Sequence, residues 1–161
     1  MTEISRNDQP EQKWRRKFAE GLNRLRATYD EYAGKVRGWL EEFEENPETV
    51  MNMIEAEEAS FPLRARRVGE ELEAVRKGFV ESSRKAGTIR DVAEKLGLGQ
   101  EIVAATAAVR DVTHLRGQLH QRLVRFREEI AGQRKRNEKI RKLKNRFSQR
   151  NRKGRRVDGH V

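Results

Sequence analysis

Cysteine is absent from this chain, which removes disulfides, thiolate metal sites and thiol chemistry together. Its absence fits a reducing compartment, and a cytoplasmic protein is expected. Proline occurs three times and phenylalanine six, and apolar residues make up only 35% against 39% charged. That balance excludes a thick globular core and suits long, exposed helices. No apolar run approaches the ~18–20 residues that span a bilayer, so no membrane partner is expected. The opening MTEISRNDQPEQKW has no apolar h-region and does not read as a signal peptide.

Chemistry is equally scarce. His114, His120 and His160 are the only histidines. Asp111 and His114 stand three apart on a helical pattern, but no second Glu-x-x-His partner exists to complete a di-metal bundle site. His114 and His120 are six apart, which places them on different faces of a helix. There is no phosphate-binding glycine loop, no Gly-x-Ser-x-Gly and no Cys/His pair. The glutamate pairs lie in charge runs without the apolar surroundings that split two carboxyl pKa values. Neither an enzyme, a cofactor nor a bound metal is expected.

What the chain does have is a block of positive charge. Residues 134–156 hold 13 Lys and Arg against one acid, Glu138, a net +12 in a chain whose total is +10. Everything outside the block is therefore close to neutral, at −2. Such a density of like charge repels itself and calls for a polyanionic partner. Nucleic acid fits first, because phosphate neutralisation with counterion release rewards clustered cations. The candidate contacts are Arg134, Lys135, Arg136, Lys139, Arg141, Lys142, Lys144, Arg146, Arg150, Arg152 and Lys153. Asn137, Asn145, Gln149 and Asn151 are interleaved with them, and Asn and Gln can read base edges. Arginine-rich helices of this type suit duplex DNA or structured RNA. With Phe147 the only aromatic of the block, a single-strand stacking platform is poorly supported. Arg outnumbers Lys by 25 to 11, which favours phosphate and base-edge contacts, although a GC-rich genome gives the same bias. Ile140, Leu143 and Phe147 form too thin an apolar stripe for a membrane face.

Periodicity predicts an all-α protein, an elongated bundle of long, coiled-coil-like helices. Residues 1–10 are expected to be a flexible N-terminus, 11–132 the bundle, and 133–161 a basic helix end and disordered tail. Phe18, Leu22, Leu25, Tyr29, Tyr32, Val36, Trp39 and Phe43 alternate in steps of four and three, a heptad seam on a helix over 11–45. Gly21, Gly34 and Gly38 lie off that seam and are expected to cost helix propensity, up to about 1 kcal/mol each, and no packing. Asn46 is expected to cap a second helix with Pro47 at its first position. That helix covers 47–59, with Val50, Met53 and Ile54 on one face. Ser60-Phe61-Pro62 reads as a break opening a helix over 61–86, with Val68, Leu72, Val75 and Phe79 in seam and Gly87 as the C-terminal stop. Thr88 and Asp91 read as a capping box for a short helix, 89–96, closed by Gly97. The longest helix opens at Gly99 or Gln100. Its seam runs Ile102, Ala105, Val109, Val112, Leu119, Leu123, Phe126, Ile130, with Arg116 interrupting. The seam turns polar at Gln133 and Asn137, recovers at Ile140 and ends near Phe147, with disorder from about Gln149. No strand pattern is present. From Leu119 to Phe147 the seam has no evident partner within the chain, so a homo-oligomer or a protein partner is expected.

Two further stretches stand out. In TIRDVAEKLGLGQEIVAATAAV (88–109), Ala93, Gly97 and Val103 fall where a helix-turn-helix wants a small residue, a turn glycine and a buried apolar residue. The run I-x-D-V-A-E-x-x-G-L resembles the start of the DNA-binding headpiece of LacI-type repressors, over about one eighth of the chain. The resemblance implies DNA reading by the second helix, which would present Gly99, Gln100, Glu101, Ala104 and Ala105. Of these, only Gln100 could read a base, and Glu101 would repel phosphate. A helical turn packed on the bundle explains the same residues. The second stretch, Glu41–Ser60, holds eight Glu and no Lys or Arg. It reads either as a solvated face or as an internal competitor for the basic block.

The function these features point to is a non-enzymatic nucleic-acid-binding accessory protein, gripping DNA or RNA phosphates by its basic end and joining an assembly through its helical body. The alternative is a coiled-coil scaffold protein whose basic end docks an acidic protein partner.

Overall fold

The computed structural model of the protein describes residues 8–157, with side chains from 10 to 152. It contains four helices and, among the described residues, no strand: α1 Asp8–Glu42, α2 Pro47–Ser83, α3 Ile89–Lys95 and α4 Gly99–Val157. The all-α expectation holds. The chain divides into two compact units, residues 1–119 and 120–161.

In the first unit α1 packs along α2. The predicted seam of α1 is its buried face: Phe18, Leu22, Tyr32, Val36, Trp39 and Phe43 are buried, and Leu25 and Tyr29 half-buried. Gly34 and Gly38 meet the expectation of costing propensity alone, since a Cβ at either would touch nothing within 4 Å. Gly21 does not. A Cβ there would lie 2.9 Å from Cδ1 of Leu72, a side chain itself 2% exposed, so this glycine lets α2 approach.

The α1–α2 connection also differs from the sequence reading. Pro47 opens α2 as expected, but the Asn46 side chain makes no capping bond, its backbone (φ −136°, ψ 62°) lying away from the extended geometry that aims a capping side chain. The turn is held instead by its own backbone, with Glu45 and Asn46 N–H donating to the Glu42 carbonyl at 3.1 and 3.0 Å.

The predicted break at Ser60-Phe61-Pro62 is absent, and α2 runs through Pro62 as one helix of 37 residues. Proline inside a helix costs about 3 kcal/mol, losing its bond to the carbonyl four residues back and crowding it. Packing overrides that cost. Ile54, Glu58, Phe61, Ala65, Val68, Leu72, Val75 and Phe79 alternate in steps of four and three straight across Pro62, so one continuous face is presented to α1. Phe61 is 2% exposed and stacks on Tyr32 with ring centroids 3.9 Å apart, while Tyr29 meets it edge-on at 5.4 Å. Pro62 itself is exposed, and Ser60 is a mid-helix residue. Met53, expected on the buried face, is 46% exposed because Val50 and Ile54 take that face.

Gly87 is not the stop of α2. The helix ends at Ser83, and Arg84 adopts the left-handed conformation, φ 54°. Gly87 instead accepts a hydrogen bond on its carbonyl from Arg76, 2.9 Å.

The capping box on α3 is formed as predicted: Thr88 Oγ1 accepts from Asp91 N–H at 3.2 Å, and Asp91 Oδ2 from Thr88 N–H at 3.0 Å. The bond from the Thr88 N–H, helped by the Thr88 side chain, holds the Asp91 carboxyl below its ordinary range. Gly97 closes α3 at φ +72°. Leu98 N–H reaches the Ala93 carbonyl (2.7 Å) and Gly97 N–H that of Glu94 (3.1 Å), the paired bonds of a Schellman stop. Val92, Ala93, Leu96, Leu98, Ile102 and Ala105 then join Phe18, Leu22, Leu72 and Phe79 in one core. Along the first unit's part of α4, Ala108, Val112, Leu115 and Leu119 are also buried. The sequence seam missed Ala108 and Leu115.

In the second unit, α4 is helical from His120 to Val157. The helix continues past Gln149, where the sequence suggested disorder. Residues 1–7, part of the expected flexible N-terminus, and 158–161 of the expected tail lie outside the described residues.

Candidate nucleic-acid interface

The basic side chains all lie on α4 within the second unit. Arg134, Lys135, Arg136, Lys139, Arg141, Lys142, Lys144, Arg146, Arg150 and Arg152 are each exposed. The side chain of Lys153 lies outside the described residues. Among the described residues, none of the ten forms an ion pair within the chain. Even Glu138, in their midst, takes none of them as a partner. Near-neighbours of like sign, such as Lys135 with Lys139 and Lys142 with Arg146, each disfavour the helix by roughly 0.2–0.5 kcal/mol. A polyanion would relieve that repulsion.

At about 100° per residue, eight of the ten cations fall within one half of the helix circumference; Arg136 and Lys144 lie outside it. The opposite side carries Ile140, Leu143 and Phe147, which are 50%, 52% and 63% exposed.

The 88–109 segment is placed differently. Ala93 is fully buried and Gly97 makes the turn, but Val103, expected to be buried, is 60% exposed. Ile102 and Ala105 take the buried positions, so the second helix packs one residue out of the register that a helix-turn-helix reading needs. Ala105 is therefore not presented for reading. Gln100 is exposed and Glu101 half-buried.

Part of the acidic stretch is committed inside the first unit. Glu57 accepts from Lys35 at 2.9 Å and pairs with Arg64; the Lys35 hydrogen bond, outweighing burial, holds its carboxyl below the ordinary glutamate range. Glu58 accepts from the Tyr32 hydroxyl at 2.5 Å and from Arg116 at 2.7 Å. Burial, reinforced by the bond to Glu58, pushes the Tyr32 hydroxyl well above an ordinary tyrosine. Arg116 also lies over the Tyr32 and Phe61 rings, 5.6 and 5.9 Å from their centroids. The interruption of one seam by Arg116 and of another by Glu58 is thus a single contact. Sequence reasoning saw the first interruption and missed its partner, because Pro62 had cut the second seam.

Asp111, considered beside His114, pairs with Arg37 of α1, while His114 and His120 are exposed. Among the described residues no cluster of ligands could hold a metal ion, and no helix is long and apolar enough to cross a membrane. His160 lies outside them. Comparison of the chain with protein-family models, curated proteins and solved structures gave no match.

Proposed function

We propose that this is a non-enzymatic nucleic-acid-binding accessory protein of the cytoplasm, which grips phosphates through the basic end of α4 and joins an assembly through its helical body. The observation that carries this reading is the set of ten exposed cations on α4, none paired with an acid among the described residues. Unpaired Arg and Lys on a helix gain most from a ligand whose charges are regularly spaced and whose counterions are released on contact. The test is the absorbance ratio at 260 and 280 nm of protein purified at low salt, before and after nuclease and high salt. An excess at 260 nm that nuclease removes supports the reading. A clean protein spectrum counts against it.

One observation favours a second reading, that of a scaffold or self-associating protein. Ile140, Leu143 and Phe147 are exposed together on one side of the helix, and a protein surface, acidic around an apolar centre, would cover them. Such a complex would survive nuclease treatment, whereas a nucleic-acid complex would not.

A further inference from the structure

The non-cationic polar residues on the basic side of α4 fall in a line. Taking Arg134 as the origin and about 100° per residue, Asn145 stands near 20°, Glu138 near 40° and Gln149 near 60°. Arg141, Arg134 and Arg152 flank that line on one side, near 340° and 0°. Lys142, Lys135, Arg146, Lys139 and Arg150 flank it on the other, between about 80° and 160°. The helix therefore carries a stripe of amide and carboxylate groups, about 16 Å long from residue 138 to residue 149, in the cation-free strip between about 0° and 80°, with three of the cations on one side and five on the other. All of these side chains are exposed.

A flat polyanionic surface would match cations at the centre of the face, where an acid is repelled. A groove walled by phosphates matches cations at the flanks and leaves the centre facing base edges. The central residue types fit that position: Asn and Gln pair with adenine, and Glu accepts from the cytosine amine. At the floor of a groove Glu138 would also be the charge furthest from phosphate.

The dimensions select the nucleic acid. An α-helix with its side chains is about 10–12 Å across, and the major groove of B-form DNA is about 12 Å wide. The major groove of A-form RNA is too deep and narrow to be read. A single strand asks for aromatic platforms, and Phe147, the one aromatic among residues 134–152, sits on the opposite side of the helix.

Resting on the nucleic-acid reading above, the geometry points to double-stranded DNA as the ligand, with residues 134–152 of α4 lying in its major groove and Glu138, Asn145 and Gln149 facing the base edges. The experiment uses the full chain and fluorescence anisotropy with three labelled probes of one sequence: a DNA duplex, an RNA duplex and the single DNA strand. A panel of DNA duplexes with varied centres and dimethyl sulfate footprinting of guanine N7 accompany it. The expected result is at least tenfold tighter binding to duplex DNA, with N7 protected. Glu138→Gln should change the ranking of the duplex panel while leaving the salt slope as it was. Equal or tighter binding to RNA or to the single strand overturns the groove assignment and leaves the nucleic-acid reading standing. A Glu138→Gln variant that tightens every probe by the same factor overturns it too, because that is what an acid among phosphates would do. Failure to bind any of the three sinks the broader reading along with this one.

Discussion

Replacing Arg141, Lys142, Lys144 and Arg146 together with Ala removes four cations from the middle of the basic helix. The four are exposed and make no ion pair among the described residues, so the substitution removes no ion pair of the described fold. Alanine is the stronger helix former, and the change relieves the like-charge pairs 141/144 and 142/146. Thermal stability and helix content should therefore be unchanged or slightly raised. Binding should respond in the opposite sense. Each phosphate contact contributes about −0.9 to the slope of log K against log salt on duplex DNA. Four lost contacts flatten the slope by ~3.6. Between 50 and 200 mM salt the unaltered protein should then lose roughly 150-fold more affinity than the variant, on the same relation. The assay is anisotropy of a labelled duplex at four or more salt concentrations, with circular dichroism as the fold control. A variant with normal stability and an unchanged slope would show that the polyanion is held elsewhere, and would remove these four residues from the site.

Three further predictions address the first unit. Gly34→Ala should stabilise the protein by about 1 kcal/mol, because nothing stands near the new Cβ; Gly78→Ala should destabilise it by about 1–3 kcal/mol, because its Cβ would lie 2.6 Å from the Trp14 ring. Thermal melts of the two variants should move in opposite directions, and equal stabilisation would mean that α1 and α2 do not approach at Trp14. Glu58→Leu or Arg116→Leu alone should each cost about 1 kcal/mol, a figure kept small by the exposure of both side chains, whereas the double substitution should recover most of the loss. Denaturant unfolding of the four proteins of that cycle measures it, and strictly additive losses would show that the two groups are not coupled. Tyr32, with its folded pKa raised, should keep its proton as an ordinary tyrosine ionises near pH 10. The unfolded chain releases that proton first, so the stabilisation is complete below about pH 10 and falls as pH rises above it. Tyr32→Phe should remove that alkaline dependence from the unfolding free energy, and a dependence unaltered by the substitution would rule Tyr32 out as its source.

Much of this architecture is readable in residue order alone, for a definable reason. A four–three alternation of large side chains, as from Phe18 to Phe43, leaves a helix one face to bury, and local hydrogen-bonding geometry is enough to form the box at Thr88 and Asp91 or the left-handed turn at Gly97. The basic helix is legible in the same way, because thirteen cations in 23 residues need no fold to declare their charge. Where the reading went astray, the deciding force acted between segments distant in sequence. Pro62 predicts a break until Phe61 is seen stacked on Tyr32. Arg116 looks like a flaw in a seam until Glu58 is brought to it from another helix. Gly21 passes for a weak helix residue until Leu72 fills the space its side chain would need. Val103 and Ala105 exchange the inward and outward positions that the helix-turn-helix resemblance gives them, because Ile102 and Ala105 are drawn into the core with Phe18 and Leu22. The sequence by itself determined the helices, their apolar faces and the charge of the C-terminal block, all of which follow from local periodicity and composition. Only the tertiary structure decided where α2 stays whole, which polar groups pair and which residues of the 88–109 segment face outward, since those outcomes depend on partners far away in sequence, 58 residues for Arg116 and Glu58 and 74 for Arg37 and Asp111.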